Sequence, residues 1–445
     1  MNYSDLSKEE LIQLLEESET TSGKYGLIWD REKEPEQIVS ECYKSIPILN
    51  NCETKNINNN GINNILIEGD NFHSLSVLNY THREKIDVIY IDPPYNTGNR
   101  DFIYNDDFIN MEDGYRHSKW LNFMSKRLRL ARNLLSENGV IFISIDDNEY
   151  AQLRLLCDSI FGQINFIANI IWEKAYSPVN LKKHFSENHD YILCFAKNKS
   201  QAICNGLQRN DEANSRYKNL DNDPRGPWKS SDLSVGPIIK DKVYEIKAPS
   251  GRKVMPPKGY CWRLTKERFE EYVTDNRIWF GPDGNNVPSI KRFLSEVKGT
   301  MTPMTIWKYT DVGHSQDATQ KLKDMFDGQA VFDYPKPVGL IKRIIELYSK
   351  KDSIVLDFFA GTGTTGQAVL ELNQEDDGNR QFILCTNNEN RICENVTYPR
   401  LKKIFNGYKN NKVDFKKLVL DASEFGVPQK RTRIIIVAYK KDLKE

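Results

Sequence analysis

The run Ile86–Tyr95, IDVIYIDPPY, decides how the rest of the chain is read. Its first six residues are almost continuously apolar or aromatic, the composition of a strand buried on both faces of a parallel sheet. Asp92, Pro93, Pro94 and Tyr95 follow at once, with no intervening loop. In open α/β sheets the carboxyl ends of the strands are where ligands sit, so this tetrad stands at a binding edge. Upstream, Ile65–Ile67 reads as a strand, followed by Gly69-Asp70 and a helix from about Phe72. Downstream, Leu121, Met124, Leu128, Ala131 and Leu135 fall at helical spacing. Gly139 is expected to end that helix, with a strand over Val140–Ile145. This alternation predicts a doubly wound, mostly parallel α/β sheet with helices on both faces.

Further out the pattern breaks and resumes. From about 200 to 330 Pro, Gly, Trp and Arg become frequent (GPWKSSD, APSGRKVMPPKGYCWR, IWFGPDG) and the alternation is lost. This reads as a separate module inserted into the main fold. A helix over Val338–Tyr348 and a strand over Ser353–Leu356 restart the pattern. Next comes Asp357-Phe358-Phe359-Ala360-Gly361-Thr362-Gly363, another helix, and a strand over Gln381–Thr386 expected to be the last of the core. The resulting division is 1–60 (helical and loop extension, with an amphipathic helix over 5–18), 61–199, 200–330, 331–410, and a tail over 411–445.

Composition narrows the function classes. With 39% hydrophobic and 28% charged residues the chain has ordinary globular material. No run approaches the ~20 apolar residues of a membrane helix, and the acidic start is no secretory signal. Eight scattered cysteines without a Cys-x-x-Cys pair argue against structural zinc and a disulfide framework, so no metal is expected. The net charge is zero but segregated: 240–268 holds nine Lys/Arg against three Asp/Glu, and 400–433 holds ten against three. Such patches suit an enzyme that docks nucleic acid along one face, or two solvated surface segments.

The chemistry lies in two junctions. A carboxylate at Asp92 and the backbone carbonyl of Pro93 can together accept both N–H bonds of a planar exocyclic amine. That localises a lone pair otherwise delocalised into the ring, ready to attack an electrophilic methyl. Two prolines hold that backbone in place, and Tyr95 offers a flat face for an extruded base. The second junction, Asp357–Gly363, has glycines that allow a tight turn and close approach of a ligand. Its Phe-x-Gly-x-Gly spacing is not the full phosphate-binding pattern.

Together these motifs resemble the β-class DNA amino-methyltransferases, in particular the modification (Mod) subunits of Type III restriction systems and their shorter Type II relatives. The resemblance covers nearly all of Ile65–Tyr408, in that class's order: catalytic strip, recognition region, cofactor loop. It includes Leu66–Asn71, Ser144–Glu149, His189–Leu193 and Tyr334–Pro337. It implies a S-adenosylmethionine-dependent, site-specific enzyme methylating adenine N6 in double-stranded DNA by base flipping. It further implies a bacterial intracellular setting, a homodimer and no membrane role, with either a separate restriction (Res-type) subunit as partner or an enzyme that acts alone. Asp92, Pro93, Pro94 and Tyr95 would be catalytic. Asp70, Lys336, Pro337, Asp357, Phe358, Phe359, Ala360, Gly361, Thr362, Gly363 and Asn387 would hold the cofactor. Within 200–330, Pro256–Arg263 and Pro288–Val297 resemble the family's recognition domain, so base readout is expected there; Arg252, Lys253, Arg263, Lys291 and Arg292 would contact DNA phosphates or merely face solvent.

The alternatives remain open at this stage. Cytosine-N4 methylation uses the same amine logic, though Ser more often heads that strip. A protein glutamine methylase typically has Asn first, and a catalytically idle DNA-specificity subunit would not need the intact strip. Asn387 or Glu389 could bind the ribose. Asp146 and Asp147 are read as capping the following helix, and His189 as a structural strand residue. The tail Leu420–Arg433 resembles the Gln-x-Arg-x-Arg motif of cytosine-C5 methyltransferases, yet no cysteine follows a proline as their nucleophile must. It is read as a grafted strand or a DNA-contacting arm.

Overall fold

In the computed structural model the described residues are 27–29, 36–407 apart from short stretches (46, 53–54, 56, 59–63, 100, 105–106 and 179–181), and 433–438. The expected helix over 5–18 and the tail segment 411–432 lie outside them. The chain forms two compact units, one from 1–205 with 304–445 and one from Gly206–Pro303.

The first unit is built on one large sheet. Its principal strands are β1 (Ile65–Glu68), β2 (Ile86–Ile91), β3 (Leu135–Ile145), β4 (Phe166–Glu173), β5 (His189–Ala196), β6 (Ile306–Trp307), β7 (Ile354–Asp357), β8 (Gln381–Thr386) and β9 (Arg433–Ala438). They lie in the order β9-β1-β8-β7-β2-β3-β5-β4-β6. Pairing is parallel from β9 through β3 and antiparallel across β3-β5-β4. In β2, five of six residues are buried, as two-sided coverage requires.

The helices that flank it include α1 (Asn71–Thr81), α2 (Arg116–Leu134), α3 (Tyr150–Phe161), α4 (Val338–Tyr348), α5 (Thr364–Asp376) and α6 (Tyr398–Phe405). α1 packs on α2 and α2 on α3, while α4 packs on α5, giving the doubly wound arrangement. The chain leaves β7 through α5 toward β8, and leaves β2 through α2 toward β3 on the opposite side. The boundary between β7 and β2 is therefore a topological switch point.

Two expectations change. Helix α2 ends at Leu134, and Leu135 is already extended. Gly139 is a glycine for another reason: a Cβ there would lie 2.8 Å from the Ile86 carbonyl, so two strand backbones need the space. The core also does not end at β8. β9 adds beyond it, with Ile435–Ala438 in parallel register against Ile65–Glu68.

The second unit contains a three-stranded antiparallel sheet, Trp228–Asp232 with Ser289–Phe293 and Ile278–Trp279. Leu233, Ile246, Trp262, Phe269 and Ile290 are among the residues of its own apolar core.

Candidate active site at the β2–β7 switch point

Four neighbouring parallel strands, β1, β8, β7 and β2, end at the same edge. There they present Asp70, Asn387, the Asp357 loop and the Asp92 strip. The strip is clamped from several sides. Trp120 Nε1 of α2 donates to the Pro94 carbonyl at 2.8 Å. Asn96, with φ +58°, donates from Nδ2 to Glu149 Oε1 at 2.5 Å and to the Arg116 carbonyl at 3.3 Å. Tyr95 OH reaches Asp190 Oδ2 at 3.5 Å, and Lys174 Nζ holds the other Asp190 oxygen at 2.7 Å. Burial, then the Asp190 and Asp92 charges, pushes the Tyr95 phenol well above its ordinary range, so it stays neutral.

Asp92 does not stand alone. Lys336 Nζ lies 2.7 Å from each of its oxygens, with the ammonium 5.0 Å from the Tyr95 ring centroid. Lys336 is 12% exposed and Asp92 28%, so this pair is partly shielded from water. Pro337 begins α4 as its N-cap residue and packs 3.0 Å from the Cβ position of Gly313.

The Gly-rich loop is built around a buried carboxyl. Asp357 accepts from Thr365 Oγ1 at 2.5 Å and from the Phe359 amide at 3.0 Å. Burial outweighs these bonds and pushes its pKa up to about 7. Phe358 and Ala360 are buried, and Gly361 and Gly363 have φ of +46° and +79°. Thr397 Oγ1 donates to the Gly361 carbonyl at 2.6 Å. Arg400, which sequence reading passed over, is buried against the loop. Its Nη1 meets Thr362 Oγ1 at 2.8 Å and Thr364 Oγ1 at 3.0 Å. A Cβ at Gly361 would lie in ordinary contact, 3.9 Å from Phe332 Cζ and from the Phe359 carbonyl, so it is the φ of +46° and not crowding that calls for glycine there.

At the remaining strand ends, Asp70 caps α1 by accepting from the Phe72 amide at 2.7 Å. Asn387 is exposed and donates to Glu389 at 3.3 Å, so the two ribose candidates meet each other. Asp146 closes a turn onto the Asn148 amide at 2.9 Å instead of capping α3, and Asp147 accepts from Tyr191 OH at 2.9 Å. His189 lies in β5 with its ring edge-on to Tyr191.

In the second unit the five basic candidates separate. Arg252, Lys253, Arg263 and Arg292 are exposed, Lys253 pairing with Glu245 at 3.0 Å. Lys291 is fully buried, bonded to Asp221, 3.7 Å from Asp223, and near the Trp228 and Trp279 rings. Its ammonium is committed inside the unit and cannot reach a phosphate, which corrects the sequence expectation. Arg216, Lys218 and Lys229, passed over in sequence, line a cleft of about 420 Å³ with Trp228 and Trp279.

Comparison with known proteins fits this geometry. A family model for DNA methylases of the N6/N4 type matches residues 86–397. A second model, for C-5 cytosine-specific DNA methylases, matches only 383–445. The StyLTI Mod subunit of Salmonella typhimurium, a Type III restriction-modification enzyme, is 35% identical over 78% of this chain and 56% of its own length. The EcoPI Mod subunit of Escherichia phage P1 is 33% identical over 86% of this chain and 67% of its length. The Type II methyltransferase M.KpnI of Klebsiella pneumoniae is 32% identical over 74% of this chain and 82% of its length. The chain thus spans little more than half the length of the first of these relatives. With the model matched from the Asp92 strip to the far side of the Gly-rich loop, the chain belongs to the N6/N4 DNA methylase family.

Proposed function

We propose that this chain is a DNA methyltransferase that transfers a methyl group from S-adenosylmethionine to adenine N6 within a short recognition sequence. The observation carrying this reading is the convergence of Asp92, Tyr95 and the Asp357–Gly363 loop at one switch point. A loop in which the buried Arg400 guanidinium is spent on Thr362 and Thr364 fits a ligand without phosphate. Asp70, Lys336, Pro337, the 357–363 loop and Asn387 would hold the cofactor, which supplies an electrophilic sulfonium methyl when bound.

The chain's own residues do the rest. Trp120 occupies the Pro94 carbonyl, which leaves the Pro93 carbonyl beside Asp92 as the second acceptor for the amine. Neutral Tyr95 stacks on the extruded base without adding charge. Asp92 can accept an amine hydrogen while Lys336 holds it, because each carboxylate oxygen has two lone pairs and the ammonium takes one on each. The Gly206–Pro303 unit reads the DNA, with Arg252, Lys253, Arg263 and Arg292 among its exposed cations. The Mod-subunit relatives support a place in a restriction-modification system beside a separate restriction subunit; the intracellular setting and the homodimer rest on the resemblance in sequence alone. No helix among the described residues is long and apolar enough to cross a membrane.

Modified-base sequencing of DNA from cells expressing the protein tests the reading. N6-methyladenine in one motif is expected, lost in Asp92→Ala while cofactor binding persists. N4-methylcytosine would move the target base, and normal methylation by Asp92→Ala would overturn the mechanism.

A further inference from the structure

Glu149 lies just outside the strip and is fully buried, although nothing in the transfer step calls for a carboxyl there. Its Oε1 accepts from Asn96 Nδ2 at 2.5 Å and lies 2.7 Å from His117 Nδ1. Asn96 is itself fully buried and left-handed, one residue beyond Tyr95. A non-glycine residue keeps φ near +58° only where its surroundings hold it there, and Asn is among the few that tolerate it. We infer that Glu149 is a positioning residue for the strip, fixing the turn at Asn96 and through it the aim of the Pro93 carbonyl and Tyr95. The inference rests on the reading of the strip as the methyl-transfer site.

The groups facing Glu149 come from four places. Asn96 extends from the strip, Arg116 and His117 from the start of α2, Asp146 from the turn after β3, and Gln152 of α3 lies 3.4 Å from His117. Three buried atoms here, Glu149 Oε2, Asn96 Oδ1 and Arg116 Nη1, have no hydrogen-bond partner among the described residues. An ionised carboxylate with one bare buried oxygen is costly, whereas a neutral carboxyl retains its acceptor oxygen for Asn96 at less cost. Burial accordingly pushes the Glu149 pKa up to about 8, the nearby Asp146 charge adding to it against the pull of Asn96 and Arg116. Burial and Arg116 lower that of His117, keeping the imidazole neutral at pH 7. The neutral carboxyl can be imitated by an amide.

The experiment uses the full chain with Glu149→Ala and Glu149→Gln, methyl-labelled S-adenosylmethionine and unmethylated bacterial DNA. Glu149→Ala is expected to lose about 100-fold in kcat, the scale of a displaced reacting geometry, with KM for the cofactor changed less than about threefold. Glu149→Gln restores kcat at pH 7 and keeps it above pH 8, where the wild type declines as Glu149 ionises. Amide hydrogen exchange at 95–97 is read in parallel and needs no turnover: faster in Glu149→Ala, as wild type in Glu149→Gln. Wild-type exchange in Glu149→Ala overturns the inference whatever the activity. So does a Glu149→Gln variant as impaired as Glu149→Ala, or an equal decline of wild type and Glu149→Gln above pH 8. A wild-type protein that labels no DNA would instead sink the methyl-transfer reading, with exchange still deciding the role of Glu149 in holding the turn.

Discussion

Replacing Lys291 by methionine separates the sequence expectation for this residue from its structural position. The side chain is fully buried, bonded to Asp221 and 3.7 Å from Asp223, whose side chain is also fully buried. Breaking a buried ion pair by removing one partner costs roughly 3–5 kcal/mol. The low end applies here because neither carboxylate is left bare. Arg225 binds Asp223 through two bonds of 2.9 and 2.8 Å and holds its carboxyl well below the usual range. Asp221 keeps the Trp228 indole at 2.8 Å. About 3 kcal/mol in a unit of this size corresponds to a melting shift of roughly 10–20 °C. Calorimetry of the full chain should show a transition displaced downward by that amount in Lys291→Met. Arg292→Ala, one residue away but exposed, should melt within ~0.5 kcal/mol of wild type. DNA binding measured against salt supplies the second axis. Each phosphate contact removed flattens the slope by about one, so Arg292→Ala should flatten it while Lys291→Met changes it only through unfolding. A Lys291→Met protein that melts as wild type yet loses one unit of slope would refute the reasoning and make Lys291 a phosphate contact.

Gly363→Ala should destabilise by about 1–2 kcal/mol and weaken S-adenosylmethionine binding by calorimetry. The cause is a Cβ forced to φ +79° and 3.1 Å from Thr397 Cγ2; unchanged affinity would free the loop from this constraint. Ending the chain at 432 removes β9 and opens one edge of β1 to pairing with other chains. Light scattering should detect aggregation, and a monodisperse product with the wild-type melting point would deny β9 a stabilising role. Glu149 also carries a pH signature in stability. The folded chain keeps its proton up to about pH 8, while the unfolded chain gives it up near 4.5. Wild-type stability therefore falls as pH rises between those values, at up to about 1.4 kcal/mol per unit. Glu149→Gln should remove the Glu149 share of that slope in melting curves at pH 6 and 8.5, leaving the share of Asp357, raised to about 7, and an identical slope in the two proteins would mean that Glu149 is already ionised at pH 6.

What sequence reveals here follows from the range of the interactions. The Asp92 strip and the Asp357 loop are legible because an apolar run ending abruptly in Pro or Gly is a local signal. Lys336 could be named from its setting, but its grip on Asp92 spans 244 positions and no local pattern reports it. The same holds for Arg400 under the loop and Glu149 under the strip. Lys291 is different, because a signal was present. Neighbours on a strand point to opposite faces, so Lys291 and Arg292 could not both lie on one surface. Phe293, two residues on and so on the same face as Lys291, is buried, which puts Lys291 in the inward position where it needs the two aspartates it finds.

The tail joins a likeness in sequence to a different chemistry. The model for C-5 cytosine-specific methylases matches 383–445, a stretch that includes most of β8, all of α6 and all of β9. What a parallel edge strand needs is a run of residues with β-branched side chains, because its pairing is made by backbone groups that any such run supplies. Arg433–Ala438 meets that need and lies in register with β1. Cytosine-C5 chemistry requires more, a cysteine that becomes a thiolate attacking the ring. Burial pushes Cys157, Cys194, Cys385 and Cys393 up, and none of the eight cysteines follows a proline. A match in sequence over this stretch is therefore not by itself a match in chemistry. The proposed chemistry lies at Asp92 instead, where a carboxylate and a carbonyl would address an amine and no thiolate is needed.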